Sequence, residues 1–373
     1  MDRRNFSAKL GTGLALGAGI AGCGKKRPGS AGATMSNVAV GNQKDYRWRL
    51  AMIVPKTLPI WGPGLVQFSD KVREMSQGRL DIRVYGAGEL FPALEVFDRV
   101  RSGQVQMGHS AAYYWQGKLP ASVFFTSVPF GMNANGMMSW ICSGGGQELW
   151  DKLYGQVGLK ALPCGNTGVQ MGGWFNREMK TLKDFRGLKM RMPGLGGKVI
   201  AKAGAKPILL PSGEILTSLQ TGVIDATEWV GPFHDYVMGF HKAAKYYYSG
   251  GWHEPGSVLE LLINRTAWDE LTSDLQAIVK AAASQANMSM FTQWMTKDSE
   301  YYAKILSEGK IQMREYPKEV TKAMKGYASE LKQEIAKTSE LAADIYKSYS
   351  NFQKQYEAYQ EVSERAYVRN QKA

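Results

Sequence analysis

Arg191 stands in the run Leu188-Lys189-Met190-Arg191-Met192, immediately before Pro193-Gly194. The alternation there predicts a strand and the Pro-Gly pair ends it, so the guanidinium sits at a strand end. Its planar fork of five donors matches a carboxylate with two parallel hydrogen bonds, which makes Arg191 a candidate clamp for a small organic acid. Lys189 would share its face in a regular strand, but a bend before Pro193 would change the direction of Arg191, and Lys189 is given no site role. Glu228, next to Trp229, and Glu254, in Gly251-Trp252-His253-Glu254, invite a metal. Two carboxylates brought together in a cleft repel and would bind protons; a cation relieves them, and oxygen ligands favour a hard ion. Tyr113-Tyr114-Trp115 follows a strand that ends at His109-Ser110. A tyrosine at a strand end supplies a hydroxyl and a ring wall, so one of Tyr113 and Tyr114 is expected to face a ligand. Asn166 is a further polar candidate.

A metal held by two carboxylates supports hydrolysis or enolisation, so a metal-dependent enzyme acting on small carboxylates is the alternative reading. The chain has no Gly-x-Ser-x-Gly elbow, no Gly-x-x-x-x-Gly-Lys-Ser/Thr loop and no His-Glu-x-x-His pair. Gly194-Leu195-Gly196-Gly197 is a weak phosphate-loop lookalike that more simply lets a helix start close to the ligand. The four histidines (109, 234, 241 and 253) have no metal-binding spacing. His253 beside Glu254 is the one acid–base neighbour, and adjacent residues on an extended strand point to opposite faces.

The elements that must position these groups follow from periodicity. Tyr46–Ile53 and Leu80–Tyr85 alternate as strands, residues 61–77 carry helical spacing closed by Gly78, Glu95–Arg101 is a helix, and Val105–His109 is a short strand. Strand–helix–strand units of this size predict an α/β sheet with ligands at strand ends. A second series starts near Leu159. It has strand pattern at Trp174–Asn176, a short helix or turn at Leu182–Gly187, the Arg191 strand, helices at Lys198–Ala203 and Glu214–Gly222, and a strand at Val223–Ala226. Residues 266–306 and 318–368 are almost wholly helical in pattern. At 373 residues and 44% hydrophobic the chain can bury two cores. The net charge of +13 lacks like-charge runs and a basic amphipathic stripe, which speaks against nucleic acid and for anionic solutes or a negative membrane face.

Together, Gly187-Leu188-Lys189-Met190-Arg191-Met192 and Leu216-Thr217-Ser218-Leu219-Gln220-Thr221-Gly222-Val223-Ile224-Asp225-Ala226 resemble the solute-binding proteins of tripartite ATP-independent periplasmic (TRAP) transporters. Gln170-Met171-Gly172-Gly173-Trp174-Phe175, Ala226-Thr227-Glu228-Trp229-Val230-Gly231-Pro232 and Tyr246-Tyr247-Tyr248 leading to Gly251-Trp252-His253-Glu254 are similar to the branch that binds 2-oxo acids and lactate. The resemblance covers residues 46–373. It implies a two-lobed α/β fold with a hinged cleft and long C-terminal helices. The lobes would be 46–165 plus about 256–305 and 166–255, with 306–373 a helical region suited to dimerisation. It implies that Arg191 clamps the ligand carboxylate and Trp229 walls the opposite side. Sodium or calcium would be held by the Gln170 side chain, Glu228, the Trp229 backbone carbonyl and Glu254, and Gln170 and Trp229 would also border the ligand. The partners implied are a small pyruvate- or lactate-like monocarboxylate, a TRAP permease and a second copy of the chain.

The N-terminus fits export. Arg3, Arg4 and Lys9 precede an apolar run of about 12 residues, Leu10–Ala21, the length of a signal core and too short to span a bilayer. It stops at Ile20-Ala21-Gly22-Cys23, which resembles a bacterial lipobox and makes Cys23 the lipidation site after a 1–22 leader. Arg3-Arg4-Asn5-Phe6 resembles a twin-arginine signal. Loss of the leader, which carries +2, would leave +11. Residues 23–45 read as a Gly/Ser-rich tether, and the mature chain as extracytoplasmic and lipid-anchored. Cys142 and Cys164 are the remaining cysteines, a pair that an oxidising compartment would allow to bond.

Overall fold

The computed structural model describes Lys44 to Lys372. The expected 1–22 leader, the expected lipidation site Cys23 and residues 24–43 of the expected tether lie outside the described residues. Among the described residues no helix is long and apolar enough to cross a membrane.

The chain builds two mixed sheets in turn. Strands β1 (Tyr46–Met52), β2 (Leu80–Tyr85) and β3 (Met107–Ser110) are separated by helices α1 (Trp61–Met75) and α2 (Val96–Arg101). β1 pairs in parallel with both other strands, as helical crossovers require. Its alternate residues Tyr46, Trp48 and Leu50 are buried while Arg47 and Arg49 are exposed, the period of two that the sequence shows. Helices α3 (Ala134–Ser143) and α4 (Gly146–Gly155) lead to β4 (Leu159–Asn166).

The chain then makes β5 (Gly173–Phe175), β6 (Lys189–Arg191), α5 (Gly194–Lys202), β7 (Lys206–Ile208), α6 (Ser212–Gln220), β8 (Ala226–Thr227), α7 (Pro232–Val237) and β9 (Tyr246–Tyr248). It returns as β10 (Val258–Asn264), which inserts antiparallel between β3 and β4, so the first sheet runs β2-β1-β3-β10-β4. After α8 (Arg265–Glu270) comes α9 (Ser273–Ser307), whose 35 residues extend about 52 Å at 1.5 Å per residue. Its buried stripe Leu275, Val279, Ala282, Ala286, Met290 and Trp294 has helical spacing. The helix packs on α1 and β4 beside the first sheet and on α7 of the second-sheet segment.

Strand β11 (Gln312–Arg314) pairs in parallel with β9, giving the second sheet the order β11-β9-β5-β8-β6-β7. The expected helical region 306–373, with its helical pattern over 318–368, therefore also contains a strand; three residues are too short to register as a period. Helices α10 (Lys318–Ala336), α11 (Glu340–Val362) and α12 (Glu364–Gln371) complete the chain. α10 packs on α5, and α11 on α3 and α4. There Tyr349 is fully buried and its hydroxyl accepts from the Met132 amide at 3.1 Å. The strand expected at 223–226 is only Ala226–Thr227.

The expected option of a Cys142–Cys164 disulfide is not realised: both thiols are free, Cys142 exposed and Cys164 buried in β4. Thiol titration of residues 44–373 should therefore detect one readily reactive cysteine in the native state and two after unfolding; no reactive thiol in either state would mean that the pair is bonded.

Candidate functional site

Parallel pairing of β6 with β8 sets Arg191 opposite Thr227, one residue from Glu228. Arg191 is 1% exposed and Glu228 fully buried. Nη1 of Arg191 donates to Oε1 of Glu228 in a close ion pair and to the Glu228 carbonyl at 3.1 Å. Nη2 donates to the Tyr114 hydroxyl at 3.1 Å. The guanidinium carbon lies 4.9 Å from the Trp229 ring centre, a cation–π contact on the face the hydrogen bonds leave open. Burial opposes the Arg191 charge, but Glu228 and then the two tyrosines override it and hold its pKa above the ordinary arginine value.

Glu254 completes the acidic side. Its Oε2 accepts from Gln170 Nε2 at 2.9 Å and from the Ser257 hydroxyl. Burial, then the nearby Glu228 charge, push its pKa up to about 7 against the pull of His253, Ser257 and Arg191. Gln170 and Glu254 are held together by the backbone as well: the Gln170 amide donates to the Glu254 carbonyl at 3.1 Å, and the Gly251 amide donates to the Gln170 carbonyl at 3.0 Å. A Cβ on Gly251 would lie 2.1 Å from that carbonyl, so only glycine permits the approach.

The structure brings Arg191, Glu228, Gln170, Glu254, Tyr114 and Trp229 into one cluster, in which Arg191 bonds Glu228 and Tyr114, Trp229 covers its face, and the Gln170–Glu254 pair lies beside them. Tyr113 packs edge-on to Tyr114 with ring centres 4.8 Å apart, and Tyr114, whose hydroxyl meets Arg191, is the tyrosine bonded into the cluster. Burial raises the pKa of both phenols, so they remain protonated. Asn166, at the end of β4, accepts from the Gly168 amide at 2.8 Å and leaves its Nδ2 without a partner. The buried Gln170 Oε1 and Arg191 Nε are likewise unpartnered. These atoms are the complement of a solute with a carboxylate: donors on Asn166 and Arg191 for its oxygens, and an acceptor on Gln170 for a cation. The two carboxylates and the amide oxygen are a hard-ion donor set.

His253 is the residue that the strand argument misplaced. Residues 252 and 253 form a turn, bracketed by Gly250-Gly251 and Pro255-Gly256, so neighbouring side chains do not diverge as on a strand. Nε2 of His253 lies 3.1 Å from Oε2 of Glu228, and atoms of Glu228, His253 and Glu254 lie within 4.8 Å of one another. The flanking Gly and Pro were the available signal. Lys189 is turned away, its ammonium on the Gly222 carbonyl at 2.5 Å.

Comparison with known proteins shows the family. The family model of the bacterial extracellular solute-binding proteins, family 7, matches residues 50–339. The monocarboxylate 2-oxoacid-binding periplasmic protein of Nostoc sp. is 40% identical over 323 residues, 87% of this chain and 88% of that protein. Two crystal structures of TRAP periplasmic solute-binding proteins superpose with TM-scores of 0.85. One, from Colwellia psychrerythraea with calcium and pyruvate bound, is 46% identical and covers 88% of this chain and 100% of its own. The other, from Pseudoalteromonas atlantica with sodium and pyruvate bound, is 44% identical and covers 87% and 99%.

An acid whose pKa rises on folding binds more protons folded than unfolded, so its contribution to stability falls as pH climbs from about 4.5 to about 7. In protein freed of ligand and metal, Glu254→Gln should flatten this decline and raise stability near pH 7 by ~2 kcal/mol relative to the parent. Denaturant melts across that range check it; parallel slopes for the two proteins would contradict the assigned shift.

Proposed function

The chain belongs to the bacterial extracellular solute-binding proteins of family 7, the solute receptors of TRAP transporters, and we propose that it captures a small 2-oxo or 2-hydroxy monocarboxylate of the pyruvate and lactate class. It is a transport receptor and not an enzyme.

The observation that carries the ligand reading is a buried arginine fork with an unpartnered Nε, set beside an unpartnered Gln170 oxygen and two buried carboxylates. Arg191 binds the carboxylate of the solute. Tyr114 fixes the guanidinium and Trp229 covers its face, while Asn166 offers a second donor and Tyr113 a wall. Gln170, Glu228, Glu254 and the backbone carbonyl of Trp229 would hold sodium or calcium, which supplies positive charge beside the two glutamates and a Lewis-acidic contact for the solute oxygens. Closure of a first lobe (46–165 plus about 256–305) on a second (166–255) excludes water and strengthens these ionic contacts. The closed form then delivers the solute to a membrane permease.

Further proposals concern where the receptor works. Cleavage before Cys23 and lipidation of that residue would tether the domain to a membrane on the extracytoplasmic side, with 23–45 as the leash. The 306–373 region would form a homodimer; Tyr359, Val362, Tyr367 and Val368 are exposed apolar side chains on α11 and α12 that support it. Light scattering at micromolar concentration should give twice the monomer mass, and a monomer would refute the dimer.

The test of function is a thermal-shift screen of residues 44–373 against small carboxylates, with and without chelator. We expect 2-oxo and 2-hydroxy monocarboxylates to raise the midpoint. Loss of the shift with chelator would assign a divalent ion, and retention would point to sodium or to Arg191 acting alone. No shift with any carboxylate would overturn the reading. Arg191→Ala should weaken binding of the best solute by more than ~2 kcal/mol, and near-parental affinity in the folded variant would remove Arg191 from the carboxylate site.

A further inference from the structure

Ile60 has φ +63° and ψ −57°, a left-handed conformation that a β-branched residue rarely adopts. It is the centre of a three-residue γ-turn: the Trp61 amide donates to the Pro59 carbonyl at 2.7 Å. Such a turn with positive φ is strained and persists only where its surroundings over-determine it. The surroundings here are specific. The loop that carries the turn lies tight on the start of α1, where a Cβ on Gly62 would stand 1.8 Å from the Lys56 carbonyl oxygen. The Pro59 carbonyl also accepts from Nε2 of His234, on α7 of the second-sheet segment, at 2.8 Å. A carbonyl only accepts, so His234 carries its proton on Nε2 and its Nδ1 is the acceptor. That Nδ1 takes the indole N–H of Trp294 on α9 at 2.7 Å.

The strained corner presents Trp61. Its indole N–H donates to Nδ1 of His109 at 2.8 Å, and Nε2 of His109 donates to the Cys164 carbonyl at 2.7 Å. Both histidines are fully buried, and burial lowers both pKa values to about 4, so each stays neutral in the tautomer its tryptophan needs. The Trp61 ring meets Trp294 edge-on at 6.0 Å and stacks on Trp229 at 6.4 Å with 25° between planes. Trp229 is the ring over Arg191. A second positive-φ residue makes a comparable contact with Trp252. Phe130, also at positive φ (57°), donates its amide to the Trp252 carbonyl at 2.7 Å and stacks on Trp252, the neighbour of His253.

We propose that Trp61 is a positioning residue for the solute site: the strained Pro59–Ile60–Trp61 turn, clasped by His234, holds the Trp229 ring flat over Arg191 and so couples the seating of α7 to the orientation of the guanidinium. The inference rests on the receptor reading above. Strain at Ile60 is offset only while His234 holds Pro59 and Trp61 has Trp229 to lie on, so both contacts form together. Neither Trp61 nor His234 hydrogen-bonds to Arg191, Glu228, Gln170 or Glu254; each acts through another residue.

The test is pyruvate binding by titration calorimetry, in the presence of calcium, using the mature chain. Trp61→Leu should raise the Kd tenfold or more. Trp61→Phe, which keeps an aromatic face for Trp229, should restore it to within about threefold of the parent. His234→Ala should weaken binding comparably to Trp61→Leu, and the double variant Trp61→Leu/His234→Ala should bind no more weakly than the worse single variant, because both changes release one turn. A cooperatively melting Trp61→Leu protein with parental Kd overturns the inference, as do losses that add in the double variant. Should Trp61→Leu fail to fold, His234→Ala and Trp61→Phe decide: parental affinity in His234→Ala, or a Trp61→Phe loss as large as tenfold, overturns it. A parental protein that binds no 2-oxo or 2-hydroxy acid instead refutes the receptor's ligand class, and the inference falls with it; parental binding with an unaffected Trp61→Leu refutes the inference alone.

Discussion

The ion pair between Arg191 and Glu228 is the constraint around which the second sheet is arranged. Both side chains are out of water, and an isolated buried pair of this kind is often no better than neutral for stability, because desolvation of two ions rivals their attraction. The surroundings supply what the pair alone lacks. Parallel register of β6 and β8 makes the two residues neighbours before any side chain chooses a rotamer. Tyr114, the Glu228 carbonyl and the Trp229 face then engage the two Nη groups and one face of the guanidinium, leaving Nε unpartnered, and His253 takes the other oxygen of Glu228. Removing either charge would strand the other, so the pair is a device for keeping a cationic fork in a dry cleft.

The same pair dictates how solute and cation must depend on each other. With Glu228 and Glu254 ionised, the arginine and two glutamates sum to one negative charge. A monocarboxylate entering alone would add a second, in surroundings that screen poorly. Burial raises the pKa of Glu254 and the nearby Glu228 charge raises it further, so a proton taken up there relieves the first excess charge. A cation relieves it equally and leaves the carboxylate welcome, so each favours the other by a shared coupling energy. Acidic residues and a bound acid are compatible in one site on these terms.

Much of this was legible in the sequence, because it depends on residue type and local pattern. Arg191 before Pro193-Gly194 marked a fork at a strand end, and Glu228 and Glu254 marked paired carboxylates wherever the chain brought them together. The choice between Tyr113 and Tyr114 was not legible, since it depends on which ring the 112–115 turn directs toward Arg191. His253 was missed because alternation was applied to a segment whose glycines and proline make it a turn. Strand β11 was missed for another reason: three residues acquire strand character only from the exposed edge of β9. Nor does any local pattern announce Trp61. It lies on a helix start with ordinary helical spacing, and its place in the site comes from the conformation of Ile60 and from His109 and Trp229, which are distant in sequence.

Where the interior leaves polar atoms without partners is itself informative. Eleven buried side-chain nitrogen or oxygen atoms among the described residues have none, and six of them belong to Asn166, Gln170, Arg191, Trp229, Trp252 and His253. Each such atom costs free energy that a hydrogen bond would recover, so a fold stabilised for its own sake would scatter or remove them. Elsewhere the buried acids show the opposite treatment. Asp235 accepts from Trp174, Tyr247 and the Val230 amide, and Glu260 from Trp115 and Tyr154, leaving these carboxylates well hydrogen-bonded although burial raises both pKa values to about 7. The chain can therefore satisfy buried carboxylates away from the site, although Gln116, Thr126, Ser127, Trp150 and His241 each keep one unpartnered atom. It leaves polar atoms unsatisfied around Arg191, where a solute with oxygen atoms on both faces is the partner that would complete them.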